Sequence, residues 1–266
     1  MRVLSLFSGG GLGDYGLELA GMEIVGQVEI DDYCQKILKL RWPEVPKWGD
    51  IKTFDGEAFI KEHGRPDLIS GGFPCQPFSF AGKRKGKSDN RYLWPEMLRV
   101  ISEIKPTYVL GENVPGIVKY ALDTVLLDLE NLGYSTQPFI IPACALDAPH
   151  RRDRVWILAY CGHNRRCSEQ ELKQEEWAEV FNSSRKGNVA YTKGAKCQRI
   201  RREARTGGGK PGCGGWWKTE PNVGRVAHGV ANRVDRLKLL GNGQVVQVVQ
   251  WIGEKIMEFE KGRSNK

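Results

Sequence analysis

The sequence predicts an α/β fold, a doubly wound and mostly parallel sheet with a small irregular lobe. Three observations predict it. Short apolar runs alternate with amphipathic stretches over the first 160 residues, the pattern of repeated strand–helix units. A glycine-rich turn follows the first apolar run at once. From Cys161 the alternation dissolves into a stretch rich in Gly, Lys and Arg, and one amphipathic pattern follows it.

The run from Arg2 to Phe7 reads as the first strand. Ser8 to Gly16 follows as a loop holding G-x-G-x-x-G at Gly11, Gly13 and Gly16, with a helix over Leu17 to Ala20. Such a loop lets backbone approach a ligand at a helix N-terminus, a Rossmann-like arrangement. Glu23 to Val28 is the second strand, and Glu29 stands just after it, where an acid can hold ribose hydroxyls. Asp31 and Asp32 cap a helix with Tyr33, Ile37, Leu38 and Leu40 at helical spacing. A short strand falls near Lys47 to Gly49, ahead of Asp50 and Ile51, and Ala58 to Ile60 lie in a connecting helix. Asp67 to Ser70 is the next strand. Trp94 to Lys105 carries Met97, Leu98, Ile101 and Ile104 on one face, and Pro106 ends that helix. Tyr108 to Gly111 is a strand running into Glu112 and Asn113. Leu122 to Leu132 is a helix closed by Gly133, and Phe139 to Ile141 and Val155 to Ala159 read as the last strands. Val245, Val248, Val249, Ile252, Ile256 and Phe259 recur at helical spacing, with Asn242 as the expected cap.

The chemistry centres on Gly71-Gly72-Phe73-Pro74-Cys75-Gln76-Pro77-Phe78-Ser79. Two glycines and two prolines stop a strand and expose one thiol in a stiff turn. Lys83, Arg84, Lys85 and Lys87 follow, spaced by glycines. A thiol at a strand's carboxyl end beside a cationic loop suits a nucleophile acting on a polyanion. A buried, inert cysteine is the commoner fate of a lone thiol, but the turn argues against it here. Glu112 stands at another strand's carboxyl end, on the same rim.

Charge is uneven. Residues 1–160 hold 19 basic and 21 acidic residues, whereas 161–266 hold 21 and 11. Within 181–218 ten basic residues face one acid, Glu203, among glycines, Tyr191, Trp216 and Trp217, which suits nucleic acid. No apolar run approaches a membrane span, and the start is no signal peptide. Cys161, Cys167 and His163 lack a fourth ligand at zinc-finger spacing, so no metal is expected. A cytoplasmic protein is the expectation.

In order along the chain, these short motifs resemble those of the DNA (cytosine-5) methyltransferase family, everywhere but about 163–220. The resemblance implies S-adenosyl-L-methionine as cofactor, held by Phe7, Ser8, Gly9, Gly11, Leu12 and Gly13, by Glu29 and Ile30, and by Asp50 and Ile51. It adds Gly72, Pro74 and Leu93, with Asn242 and Gln244 from the last motif. It implies Cys75 as nucleophile on cytosine carbon 6, Glu112 as the group at nitrogen 3, Arg154 at oxygen 2 and Arg152 on the thiol side. Double-stranded DNA would meet Gln76, Ser79, Lys83, Arg84 and Lys85, and in the basic lobe Arg199, Arg201, Arg202 and Arg205. The implied organisation is a catalytic domain over 1–162, a target-recognition region over 163–228 and a C-terminal segment over 229–266. A monomer, a cognate restriction endonuclease as partner, and a prokaryotic or phage source complete the expectation. The sequence departs from the family pattern at His150, where Gln is usual, and at Gly243-Gln244-Val245. Three rivals stay open: an RNA cytosine-5 methyltransferase, a non-catalytic cofactor- and DNA-binding protein, and a nicotinamide dehydrogenase, which would leave Cys75, Glu112 and the basic lobe without a role.

Overall fold

A computed structural model describes residues 1–74, 92–161 and 233–264. Its sheet has seven strands: β1 (Arg2–Leu6), β2 (Glu23–Val28), β3 (Lys47–Trp48), β4 (Leu68–Gly71), β5 (Tyr108–Asn113), β6 (Ser135–Pro142) and β7 (Asp153–Tyr160). Their order is β3-β2-β1-β4-β5-β7-β6. Pairings from β3 through β5 are parallel, and β7 runs antiparallel to both of its neighbours. Strand order turns back between β1 and β4, so a crevice opens beyond the carboxyl ends of those two strands, where ligands of such sheets bind. The chain after β1 is the glycine-rich turn, and the chain after β4 is Gly72-Phe73-Pro74.

Both faces of the sheet are covered, as its near-continuous apolar strands require. Alternate strand residues point to opposite sides. Leu4, Ile69, Val109 and Ile157 pack with α3 (Gly56–His63), α4 (Trp94–Ile104) and α6 (Leu122–Asn131). Val3, Leu68, Tyr108, Leu110 and Leu158 pack with α1 (Leu12–Leu19) and the C-terminal helix α8 (Val246–Ser264). The remaining helices are α2 (Asp32–Arg41), α5 (Ile117–Tyr120) and α7 (Arg233–Asn242).

α8 buries Val248, Val249, Ile252, Ile256 and Phe259, as its periodicity predicts. Each such side chain stabilises the fold by roughly 1.5–3 kcal/mol when fully buried. The two helices touch through glycines. A Cβ at Gly16 would lie 2.6 Å from the Val246 carbonyl oxygen, and one at Gly253 would lie 2.7 Å from Ala20 Cβ. Two expectations are corrected here. Gly13 and Gly16 lie inside α1, not in the loop, because close packing needs them and the helix begins at Leu12. Asn242 does not cap α8: it is the last residue of α7, and α8 starts at Val246. On α2, Asp31 is the N-cap, accepting from Tyr33 N and Cys34 N, but Leu40 faces solvent and Leu38 carries the contact with the core.

Candidate active site

The crevice holds a cavity of about 750 Å³, within the range of small-molecule sites. One wall comes from the turn after β1. Phe7 and Gly9 both have φ of 55°, in the left-handed region, and this tight bend turns the Gly9 amide toward Glu29. Gly9 N donates to Glu29 Oε2 at 2.7 Å, and Asp31 N donates to Glu29 Oε1 at 2.7 Å. Each carboxylate oxygen has two lone pairs and accepts one of these hydrogen bonds, so Glu29 keeps lone pairs for a ligand's hydroxyls. Asp50 stands across the cavity, its Oδ1 accepting from Lys52 N at the head of a 3-10 turn over Ile51–Thr53. Ile30, Ile51 and Leu93 supply apolar lining between the two acids. Arg99 of α4 fastens the turn after Asp50: Nη2 donates to Ile51 O at 2.7 Å and Nη1 to Phe54 O at 3.0 Å.

The other wall carries the candidate chemistry. Glu112 is buried near the end of β5. Because β7 runs antiparallel to β5, its first residues lie beside the last residues of β5, and Arg154 reaches Glu112 there. Arg154 Nε lies 2.9 Å from Glu112 Oε1. Burial raises the Glu112 carboxyl above the ordinary carboxylate range, while Arg154, Arg152 and an amide hydrogen bond from Gln244 pull the other way. A carboxyl whose proton affinity is raised by burial is suited to share a proton with a ring nitrogen. Pro74, the last described residue before Cys75, lines the same cavity.

The profile of the C-5 cytosine-specific DNA methylase family matches residues 1–206, most of the chain. The chain belongs to that family. It is 37% identical over 167 residues to the type II methyltransferase M.Eco47II of Escherichia coli, covering 59% of this chain and 39% of that protein. To the type II methyltransferase M.HhaI of Haemophilus parahaemolyticus it is 33% identical over 165 residues, covering 60% and 49%. The chain therefore spans half the length or less of these relatives. Among solved structures, S. pombe Dnmt2 methyltransferase superposes with a TM-score of 0.54 at 28% identity, covering 71% of this chain and 58% of that one.

In this methylase family member the cavity gathers Phe7, Gly9, Glu29, Ile30, Asp50, Ile51, Gly72, Pro74, Leu93 and Asn242, together with Glu112 and Arg154. Four other expected cofactor residues, Ser8, Leu12, Gly13 and Gln244, line a smaller recess of about 50 Å³ behind the glycine turn. Gly11 lines neither: it has φ of 76°, precedes α1, and backs onto Trp42 and Leu38. Arg152 also lines neither. Its Nη2 donates to the carbonyls of Gly241 and Gly243, both at 2.7 Å, which commits the guanidinium to the α7–α8 connector. Cys75, Gln76, Ser79, Lys83, Arg84, Lys85, Arg199, Arg201, Arg202 and Arg205 lie outside the described residues.

The cavity is also lined by residues that sequence reasoning missed. Lys238 and Leu239 of α7 line the cavity; Lys238 Nζ meets Asp31 Oδ2 at 2.6 Å, and Leu239 lies against Gly10. The ion pair is solvent-exposed and worth at most about 1 kcal/mol. No local pattern announces a contact made across 207 residues.

Asp14 of α1 is buried beneath the glycine turn. It accepts from Ser5 Oγ at 2.6 Å and from Gln27 Nε2 at 2.7 Å, and Ser8 Oγ contacts Ser5 Oγ at 2.9 Å. Burial raises its pKa from 3.8 to about 6. The folded state thus binds more protons than the unfolded state between those values, and stability falls as pH rises through the window. Wild type is expected to lose about 1 kcal/mol from this group between pH 5 and pH 7. Asp14→Asn should lack that loss, since Gln27 Oε1, unpartnered among the described residues, can rotate to accept from the new amide. Urea midpoints at the two pH values check this; equal pH dependence in both proteins would refute it.

Proposed function

We propose that this chain is a DNA (cytosine-5-)-methyltransferase, which moves a methyl group from S-adenosyl-L-methionine to carbon 5 of a flipped cytosine in a specific duplex sequence. The observation that carries the reading is the buried Glu112–Arg154 pair, which opens onto the cavity shared by Glu29, Asp50 and Pro74. The described residues fit the cofactor: Glu29 keeps acceptor lone pairs, Asp50 faces the cavity, and Ile30, Ile51 and Leu93 offer a flat group apolar walls. When bound, S-adenosyl-L-methionine supplies an electrophilic methyl group. Cys75 adds to carbon 6 of the ring, and Glu112 holds a proton at nitrogen 3 as charge builds there. Once carbon 5 carries the methyl group, a base takes the carbon-5 proton, the bond from Cys75 to carbon 6 breaks, and the thiolate leaves. Arg154 keeps that carboxyl aimed and reaches toward the base's oxygen 2. The base must leave the stack to be reached at all.

The reading extends to the whole chain. Residues 1–162 form the catalytic domain, 163–228 the target-recognition region, and 229–266 a C-terminal segment and helix packing back on the catalytic domain. The protein acts as a cytoplasmic monomer of prokaryotic or phage origin, paired with a restriction endonuclease of the same specificity. Among the described residues no helix is long and apolar enough to cross a membrane, and no cluster of metal-ligating side chains occurs.

The direct test supplies labelled S-adenosyl-L-methionine with duplex DNA or with RNA. Transfer to DNA supports the reading, transfer to RNA alone favours the RNA enzyme, and binding without transfer favours the non-catalytic rival. Sequence choice has its own test. Arg185, Arg199, Arg201, Arg202 and Arg205, mutated singly to Ala, should fall into two classes. Loss of a base contact relaxes one position of the site at a cost of ~1–3 kcal/mol, and loss of a phosphate contact weakens all sequences alike and lowers the salt slope. Bisulfite mapping that shows no altered site in any variant would refute this assignment.

A further inference from the structure

We infer that Gln244 is a positioning residue for Glu112, holding the carboxyl that grips the base rather than the cofactor. The inference rests on the role proposed above for Glu112. Gln244 lies in the three-residue connector between α7 and α8 and does not line the large cavity. Its side-chain amide hydrogen-bonds the Glu112 carboxyl. Two glycines make room for that contact. A Cβ at Gly13 would strike Gln244 Oε1, and a Cβ at Gly72 would lie 2.9 Å from Glu112 Oε2 and 3.3 Å from Gln244 Nε2. The connector is itself held in place by Arg152, which donates to the carbonyls on either side of Asn242 from a backbone at φ of 35°. A non-glycine residue keeps such a conformation only where its surroundings enforce it.

Glu112 therefore has donors from two directions. Arg154 approaches from β7, with the Arg152 charge just before that strand, and the neutral amide approaches from the connector. Among the described residues, the segment after β4 brings no charged group to Glu112. The amide fixes the carboxyl's orientation without adding a charge that would force it to ionise. Because an amide donor favours the ionised carboxylate, its loss raises the proton affinity of Glu112.

Gln244→Met keeps the length of the side chain and removes the amide. The expected result is a fall in kcat of about tenfold, the scale of one buried hydrogen bond, and an alkaline limb of the kcat profile moved to higher pH. The KM for S-adenosyl-L-methionine should stay within about twofold. Gln244→Glu should recover activity as pH falls, because only its protonated form can donate to Glu112. Infrared titration of the Glu112 carboxyl, identified by its loss in Glu112→Gln, should show a higher pKa in Gln244→Met. That measurement holds whether or not the wild type methylates DNA, so it separates failure of this inference from failure of the proposed activity. An unmoved Glu112 titration overturns the inference. So does a raised KM for the cofactor with an unchanged pH profile, which would return Gln244 to the cofactor site.

Discussion

Cys75→Ser is expected to abolish methyl transfer, by on the order of 10³-fold or more, the scale seen when a covalent nucleophile is removed. A serine hydroxyl is barely ionised near neutral pH, whereas a thiol is partly ionised and is an intrinsically stronger nucleophile. Cofactor binding should survive, because most of the cavity wall comes from the turns after β1, β2 and β3, from the end of β5 and from α7, and the turn leading to Cys75 adds Gly72, Phe73 and Pro74. DNA carrying 5-fluorocytosine should trap the wild-type protein covalently and leave the variant free, since fluorine cannot depart as a proton does. Transfer by the variant within tenfold of wild type would sink the covalent mechanism.

Glu29→Ala is expected to weaken binding of the demethylated cofactor by about 1.5–3 kcal/mol, the range for hydrogen bonds to a charged group. That corresponds to roughly tenfold to 150-fold in affinity. DNA affinity should change far less. The carboxylate also fastens the amides of Gly9 and Asp31, beside the ligand contact proposed for it. Glu29→Gln, which keeps one acceptor oxygen, should fall between wild type and Ala. Calorimetric titration decides the matter, and an unchanged affinity in the Ala variant would remove Glu29 from the site.

Most of the sheet was legible because its strands are short apolar runs bounded by Gly, Pro and polar residues, a signal that is local. The direction of β7 was not legible. Val155 to Ala159 would read the same in either orientation, and only pairing with β5 brings Arg154 to Glu112. The glycine string misled in a different way. Gly13 and Gly16 looked like loop residues because glycine weakens a helix, but close approach of Gln244 and of α8 outweighs a cost of about 1 kcal/mol each. α7 escaped notice because Val234, Leu237 and Leu240 are exposed and leave it no clean buried stripe. Glu29, Asp50 and Glu112 were found from their places at strand ends and from family motifs. The contacts of Arg152 and Gln244 were not legible, since they depend on how the α7–α8 connector lies.

The packing of α8 on α1 has a consequence for the time course of synthesis. While the ribosome is still making the middle of the chain, β1 to β5 can already pair through local strand–helix units. The face formed by Val3, Ile24, Leu68 and Leu110 then has only α1 to cover it until α8 emerges. Joining elements so distant in sequence is the slow, entropically costly step of folding. The growing polypeptide thus carries an open apolar surface of the kind chaperones hold. The ligand pocket, walled by the first turn and by α7, closes only after nearly all of the chain has left the exit tunnel.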